Sequence, residues 1–184
     1  MDAVLRNISR TPGPVYTYNY FIYRDPTTGL WWLELGDDYT VVGFWPKVIF
    51  SGGGLQDLAT YIEWGGQVYS PPDIPSPPMG RGALPLPNIL YDASCQDMTT
   101  INENHDTEAA GGTQTYADQD KYYRAKDMGC QKAPLNRTMA FGGPGGATGW
   151  ARRGHRLGLT GPDWLRHHSE ISYWCSIVQR HVQY

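Results

Sequence analysis

Long hydrophobic runs are missing from this sequence. No stretch approaches the roughly 20 apolar residues that a membrane-crossing helix needs, so a membrane partner is not expected. The opening Met1-Asp2-Ala3-Val4-Leu5-Arg6-Asn7-Ile8 also lacks the apolar core of a secretory leader, and no signal peptide is read there. Cysteine is scarce: Cys95, Cys130 and Cys175 permit one disulfide and leave one thiol over. No Cys-x-x-Cys or other metal-ligand spacing occurs, so no metal and no cofactor is expected. Positive charge is not in excess either. With 15 Lys+Arg against 18 Asp+Glu and a pI near 5.9, the chain does not read as a nucleic-acid binder. The glycine runs at 52–54 and 142–146 lack a following Lys-Ser/Thr, which excludes a phosphate-binding loop of that type. No internal repeat is visible.

Turn formers and aromatic residues are abundant. Aromatics make up 13% of the 184 residues, with 22 Gly and 14 Pro, a composition suited to short strands joined by many turns. Residues 15–24 place Tyr16, Tyr18, Tyr20 and Ile22 on one face by the period of two and predict a strand. Asp25-Pro26-Thr27-Thr28-Gly29 has turn chemistry and leads into Leu30–Leu35, so the pair predicts a hairpin. In that second strand Trp31, Leu33 and Leu35 share one face, and Leu30, Trp32 and Glu34 the other. A turn at Gly36–Asp38 precedes a third strand, Tyr39–Trp45, stopped by Pro46. Tyr61–Tyr69 predicts a fourth, broken by Gly65-Gly66, where a bulge or close backbone approach is expected. These four strands read as an antiparallel meander.

Beyond it the pattern changes. Seven of the fourteen prolines lie between Pro71 and Pro87, which makes 70–87 an extended, polyproline-like loop. Residues 97–121 are polar without a clear period and read as loop or disorder. The segment 1–146 carries 10 Lys+Arg against 16 Asp+Glu, whereas 147–184 carries 5 against 2 and four of the five histidines. The chain therefore divides into residues 1–146 and a basic tail, 147–184. In the tail, Thr160-Gly161-Pro162-Asp163 has the form of a capping box. Leu165, His168, Ile171, Cys175, Val178 and Val182 recur at helical spacing, so the tail is expected to hold a short helix over 163–182 or to be disordered. The four tail histidines have no acidic cluster beside them and read as solvated.

Three stretches, in order, resemble the neprosin family of plant secreted proteins. The first is Asp25-Pro26-Thr27-Thr28-Gly29-Leu30-Trp31-Trp32-Leu33, followed by Val42-Gly43-Phe44-Trp45-Pro46. The second joins Trp64-Gly65-Gly66-Gln67-Val68 to Ser76-Pro77-Pro78-Met79-Gly80-x-Gly82. The third is Phe141-Gly142-Gly143-Pro144-Gly145. The resemblance implies the C-terminal part of an all-β antiparallel sandwich, present in part, within residues 1–146. It further implies an extracellular glutamic endopeptidase, a hydrolase cleaving after proline with two glutamates. Physically such a dyad shares one proton, the ionised carboxyl activating water while the protonated one polarises the scissile carbonyl. In the resemblance the family's earlier glutamate lies upstream of this sequence, and the later one corresponds to Gln67, so impaired catalysis is expected. Residues 147–184 fall outside the resemblance.

Candidate site residues follow. Gln67 and Glu63 are the catalytic candidates, four residues apart and so on one side of a regular strand, roughly 13 Å from each other. Glu63 also reads simply as a solvent-facing strand charge. Glu34 shares its face with Trp32 but has no evident second carboxyl. Trp32, Trp45 and Trp64 are candidates for a substrate groove, since aromatic surfaces dock proline-rich segments; with Trp31 and Phe44 they read equally as sandwich core. The partner expected under either reading is a proline-rich peptide or protein. The alternative to an impaired peptidase is a non-catalytic module binding proline-rich or cell-wall peptides.

Overall fold

The computed structural model describes residues 9–10, 12–50, 54–57, 59, 62–68, 70, 74–87, 89–102, 106–146, 155–159, 172–174 and 177–181. Its strands are, in chain order, β1 (Tyr20–Arg24), β2 (Trp31–Leu35), β3 (Thr40–Trp45), β4 (Gly65–Val68), β5 (Ala93–Cys95), β6 (Thr99–Ile101) and β7 (Thr107–Ala109). They continue with β8 (Thr115–Ala117), β9 (Arg124–Cys130), β10 (Arg137–Gly142), β11 (His155–Leu159), β12 (Ser172–Trp174) and β13 (Ile177–His181). Helical geometry among the described residues is confined to three single 3-10 turns, at Lys47–Ile49, Gly54–Gln56 and Ile89–Tyr91. The fold is all-β, a partial sandwich of mostly antiparallel sheets.

The first hairpin forms where its turn chemistry predicts. Asp25 Oδ1 accepts from the Thr27 amide at 2.8 Å and Oδ2 from the Thr28 hydroxyl at 2.6 Å. Gly29 closes the turn at φ +70°, a conformation that disfavours a side chain. β1, β2 and β3 then pair antiparallel, with Arg24, Trp31 and Trp45 aligned across one face and Tyr23, Trp32 and Phe44 across the other. The register shifts between Leu33 and Glu34, which leaves Val42 as an extra residue in β3.

The structure corrects four expectations. The first strand is shorter than 15–24, beginning at Tyr20. β4 does not continue the meander: it lies in a separate sheet of order β12-β4-β11-β8. The reason is packing at Gly66, where an added Cβ would sit 2.7 Å from Phe141 Cε2 and 3.1 Å from Met79 Sδ. The strand is drawn against β10, not against β3. The segment expected as loop or disorder contains β6, β7 and β8, three-residue strands too short to display a period of two in sequence. Of the span 163–182 expected as helix, residues 172–174 and 177–181 form β12 and β13 instead, and the rest lies outside the described residues. β13 pairs parallel with β1 and β12 pairs antiparallel with β4, so open sheet edges supply backbone partners that outweigh the helical spacing.

One core lies between β4 and the β5-β10-β9 sheet. It gathers Trp64, Val68, Met79, Cys95, Met98, Ala110, Tyr123, Met139 and Phe141. Two ion pairs pin its surroundings. Arg81 Nε meets the buried Asp92, whose other oxygen accepts from the Leu86 amide at 2.8 Å, folding the end of the proline-rich loop onto β5. Arg137 forks onto Asp127 at 2.6 and 2.7 Å and donates from Nε to the Ala110 carbonyl at 2.9 Å.

Candidate functional site

β4 is the element on which the catalytic expectation rests, and its sequence explains its place. Gly66 and Val68 take the core face of the strand, so by alternation Gln67 emerges on the opposite face, half-buried. In register Gln67 stands opposite Arg156 of β11 and Ser172 of β12. Glu63 is half-buried in irregular chain two residues before the strand begins, so the regular-strand relation expected between Glu63 and Gln67 does not describe this segment. Gly65, between them, adopts φ +155°, a backbone conformation that side chains rarely take.

The strand is braced by two glycine-bearing segments that meet backbone to backbone. Met79 and Gly143 exchange hydrogen bonds of 2.9 and 3.1 Å, and the Gly146 amide donates to the Ser76 carbonyl at 2.9 Å. A Cβ on Gly143 would overlap the Tyr122 carbonyl oxygen, and one on Gly145 the Ser76 carbonyl oxygen. The Phe-Gly-Gly-Pro-Gly sequence is therefore a close-approach device that seats the proline-rich loop over β10. Tyr123, fully buried, donates from its hydroxyl to the Pro77 carbonyl at 2.7 Å. Burial pushes its phenol above the usual value, the Ser76 hydrogen bond opposing this, so it stays a neutral donor.

The three tryptophans expected to line one groove are not gathered in one place. Trp64 is 2% exposed and belongs to the core. Trp32 and Trp45 point to opposite faces of the first sheet, since Trp32 pairs with Phe44 and Trp45 with Trp31. Trp32 packs against Phe44 with ring centroids 5.1 Å apart, and Phe21 against Tyr39 at 4.4 Å. Glu34 shares that face, its Oε1 accepting from the Tyr23 hydroxyl at 3.1 Å. On the other face Trp31 is covered by the Gly54–Gln56 turn, donating from Nε1 to the Leu55 carbonyl at 2.6 Å, while Arg24 donates to the Gln56 carbonyl at 3.2 Å.

Sequence reasoning did not single out Arg81, Asp92, Asp127 or Arg137. Each pair is ten or eleven residues apart across a loop or hairpin, a separation with no sequence signature. Among the described residues two carboxyls have shifted proton affinity. Asp127 is held low chiefly by the Arg137 hydrogen bonds, and Asp25 chiefly by the Thr28 hydroxyl. Both shifts run opposite to the raised value a general acid needs. Among the described residues no group of three His, Cys, Asp or Glu is placed to hold a metal ion. Cys95 is buried in the core, Cys130 is an exposed free thiol, and Cys175 lies outside the described residues.

No solved structure matches the chain. The Neprosin family does match, over residues 1–144. That span contains the aromatic hairpin, β4, the proline-rich loop and the first four residues of the Phe-Gly-Gly-Pro-Gly brace, and the last three of these meet at one core. The match covers well over half of the 184 residues, and the chain belongs to the Neprosin family.

Proposed function

We propose that the chain engages proline-containing peptides on a glutamic-peptidase scaffold outside the cell, and that Gln67 leaves it unable to cleave them. The observation that supports this reading is the seating of Gln67 between buried Gly66 and Val68 in β4, where the resemblance to the family puts its later glutamate. A carboxamide at that point both donates and accepts hydrogen bonds, so it suits the orientation of a peptide carbonyl. It takes up no proton at working pH and supplies no general base. Glu63, close in sequence and half-buried, is the replacement acid if turnover survives. The test is cleavage of a fluorogenic proline peptide between about pH 3 and 7, the range in which carboxyl dyads titrate. The expected result is no turnover by the unaltered chain. Acid-dependent turnover that Gln67→Glu raises and Glu63→Gln abolishes would end this reading and establish a working dyad.

A second reading, a module that only binds proline-rich or cell-wall peptides, draws on the outer face of β1–β3. Phe44 is 46% exposed beside Trp32, and Tyr39 is exposed beside Phe21. Polyproline segments dock on such rings because their conformation is preformed and little ordering entropy is lost. Glu34 would add a preference for a basic residue in the peptide. Titration with a proline-rich peptide checks this: Phe44→Ala is expected to weaken binding about tenfold, the loss of one aromatic contact of about 1.4 kcal/mol. Unchanged affinity would move the binding surface elsewhere.

A further inference from the structure

The sequence carries the tripeptide Asn136-Arg137-Thr138, an acceptor pattern for N-linked glycan in chains that pass through the secretory route. The pattern alone is common, and its placement decides what it means. Asn136 is exposed at the end of the turn joining β9 to β10, in the left-handed region at φ +44°. Its Nδ2 donates to Asp97 Oδ1 at 2.8 Å, also exposed. Its backbone is fixed separately, because its carbonyl accepts from the Gln131 amide at 2.7 Å. Arg137 turns away into the Asp127, Ala110 and Thr113 contacts. Thr138 is fully buried, its hydroxyl donating to the Leu135 carbonyl at 2.7 Å.

We propose that Asn136 is an N-glycosylation site, modified before β10 closes on β9. In the transfer, Nδ2 attacks the anomeric carbon of a lipid-pyrophosphate-linked oligosaccharide. The N–C bond forms as the C–O bond to pyrophosphate breaks, one amide proton is released, and the lipid pyrophosphate leaves. One N–H remains on Nδ2, enough to keep the hydrogen bond to Asp97. The transferase must engage the threonine hydroxyl as well as the asparagine, and in the folded chain that hydroxyl is inaccessible. Modification therefore belongs to the entering, unfolded chain, and the glycan emerges at an exposed corner once the hairpin forms. Asn136 is five residues along the chain from Phe141, which packs on Gly66, so the glycan root lies roughly 17 Å from the β4 packing contact by strand rise. A glycan there shields the β9–β10 turn.

The physiological meaning of the site rests on the extracellular reading above, and the experiment separates the two. The full chain is expressed behind an added secretion leader in a eukaryotic host, with Asn7→Gln removing the other acceptor pattern, Asn7-Ile8-Ser9. Lumenal and secreted chain are both treated with an N-glycan-releasing amidase, and the peptide containing residue 136 is sequenced by mass. The expected result is one glycan step, with Asn136 converted to Asp on release. The step is lost with Asn136→Gln and kept with Thr138→Ser. Unmodified Asn136 in the lumenal Asn7→Gln chain would overturn the proposal, whether or not the Thr138 variant folds. Finding the protein inside cells of its own source tissue would count against the extracellular reading alone and leave the acceptor chemistry standing.

Discussion

The two halves of the Neprosin-matched region use aromatic residues in opposite ways. Around β4 and β10, Trp64, Tyr123 and Phe141 are enclosed with three methionines in a single cluster. None of that cluster comes from β1, β2 or β3. Of the strand residues in the meander only Trp31 and Arg24 are buried, under the carbonyls of the Gly54–Gln56 turn, while Val41, Phe44 and Trp45 remain 53%, 46% and 37% exposed. Residue type does not separate the two regions, since each contains tryptophan, phenylalanine and tyrosine. What separates them is whether glycine lets another segment come close. Gly66, Gly143 and Gly145 admit Phe141, Tyr122 and the Ser76 segment to contact distance on one side. Nothing comparable closes over the outer face of the meander among the described residues.

The largest expected effect tests this contrast directly. Phe141→Ala removes a fully buried ring and leaves a cavity against Gly66 and Met79, expected to cost about 3–5 kcal/mol. Phe44→Ala removes a ring of the same size from the meander and should cost about 1 kcal/mol, mainly its contact with Trp32. Paired urea denaturation curves check both. Equal costs would mean that the meander is covered in solution and that the contrast is false.

A smaller effect concerns the clamp on the β9–β10 sheet, and it depends on pH. Asp127 has its proton affinity lowered, chiefly by the Arg137 hydrogen bonds. A carboxyl lowered on folding contributes stability above its unfolded value, near 3.9, and loses that contribution as pH falls through its folded value. Its side chain is 37% exposed, so solvent screening limits the contribution to about 1 kcal/mol at neutral pH. Asp127→Asn should therefore lower the urea midpoint at pH 7, and the gap to the unaltered chain should close below about pH 4. A gap that stayed constant across that range would show that the pair contributes packing and not charge.

The contrast also marks what was legible in the sequence. The hairpin around Asp25–Gly29 was, because its turn, alternation and strand ends are all local. The role of Gly65-Gly66 was half legible: a close approach was expected there, but the partner, Phe141, is 75 residues away and carries no signal beside β4. β6, β7 and β8 escaped notice because Thr-rich triplets form strands only when neighbours supply hydrogen bonds. The tail misled for a related reason: its three- and four-residue spacing is helical, yet β1 and β4 offer edges that its residues fill as strands. At the candidate site, Gln67 could be singled out from its motif alone. The division of Trp32, Trp45 and Trp64 among two sheet faces and a core depends on sheet pairing that no local pattern encodes.

The smallest expected effect on stability lies at β3, the outer strand of the β13-β1-β2-β3 sheet. Thr40–Trp45 contains no charge and no proline, and it exposes Val41, Phe44 and Trp45 along an edge that pairs with β2 on one side only. Such an edge templates association with other chains, and the extra residue at Val42 is a partial defence because a bulge twists the edge out of plane. Val41→Lys adds a charge at an exposed edge position and removes no buried contact. Its cost in folding free energy is expected to stay within about 0.5 kcal/mol. Sedimentation at rising concentration should nevertheless show less self-association than the unaltered chain, because pairing at this edge would have to desolvate the new ammonium. If the lysine variant associated as readily as the parent, the sticky surface would be the aromatic face and not the strand edge. Phe44→Ala, rather than Val41→Lys, should then be the variant that keeps the protein monomeric.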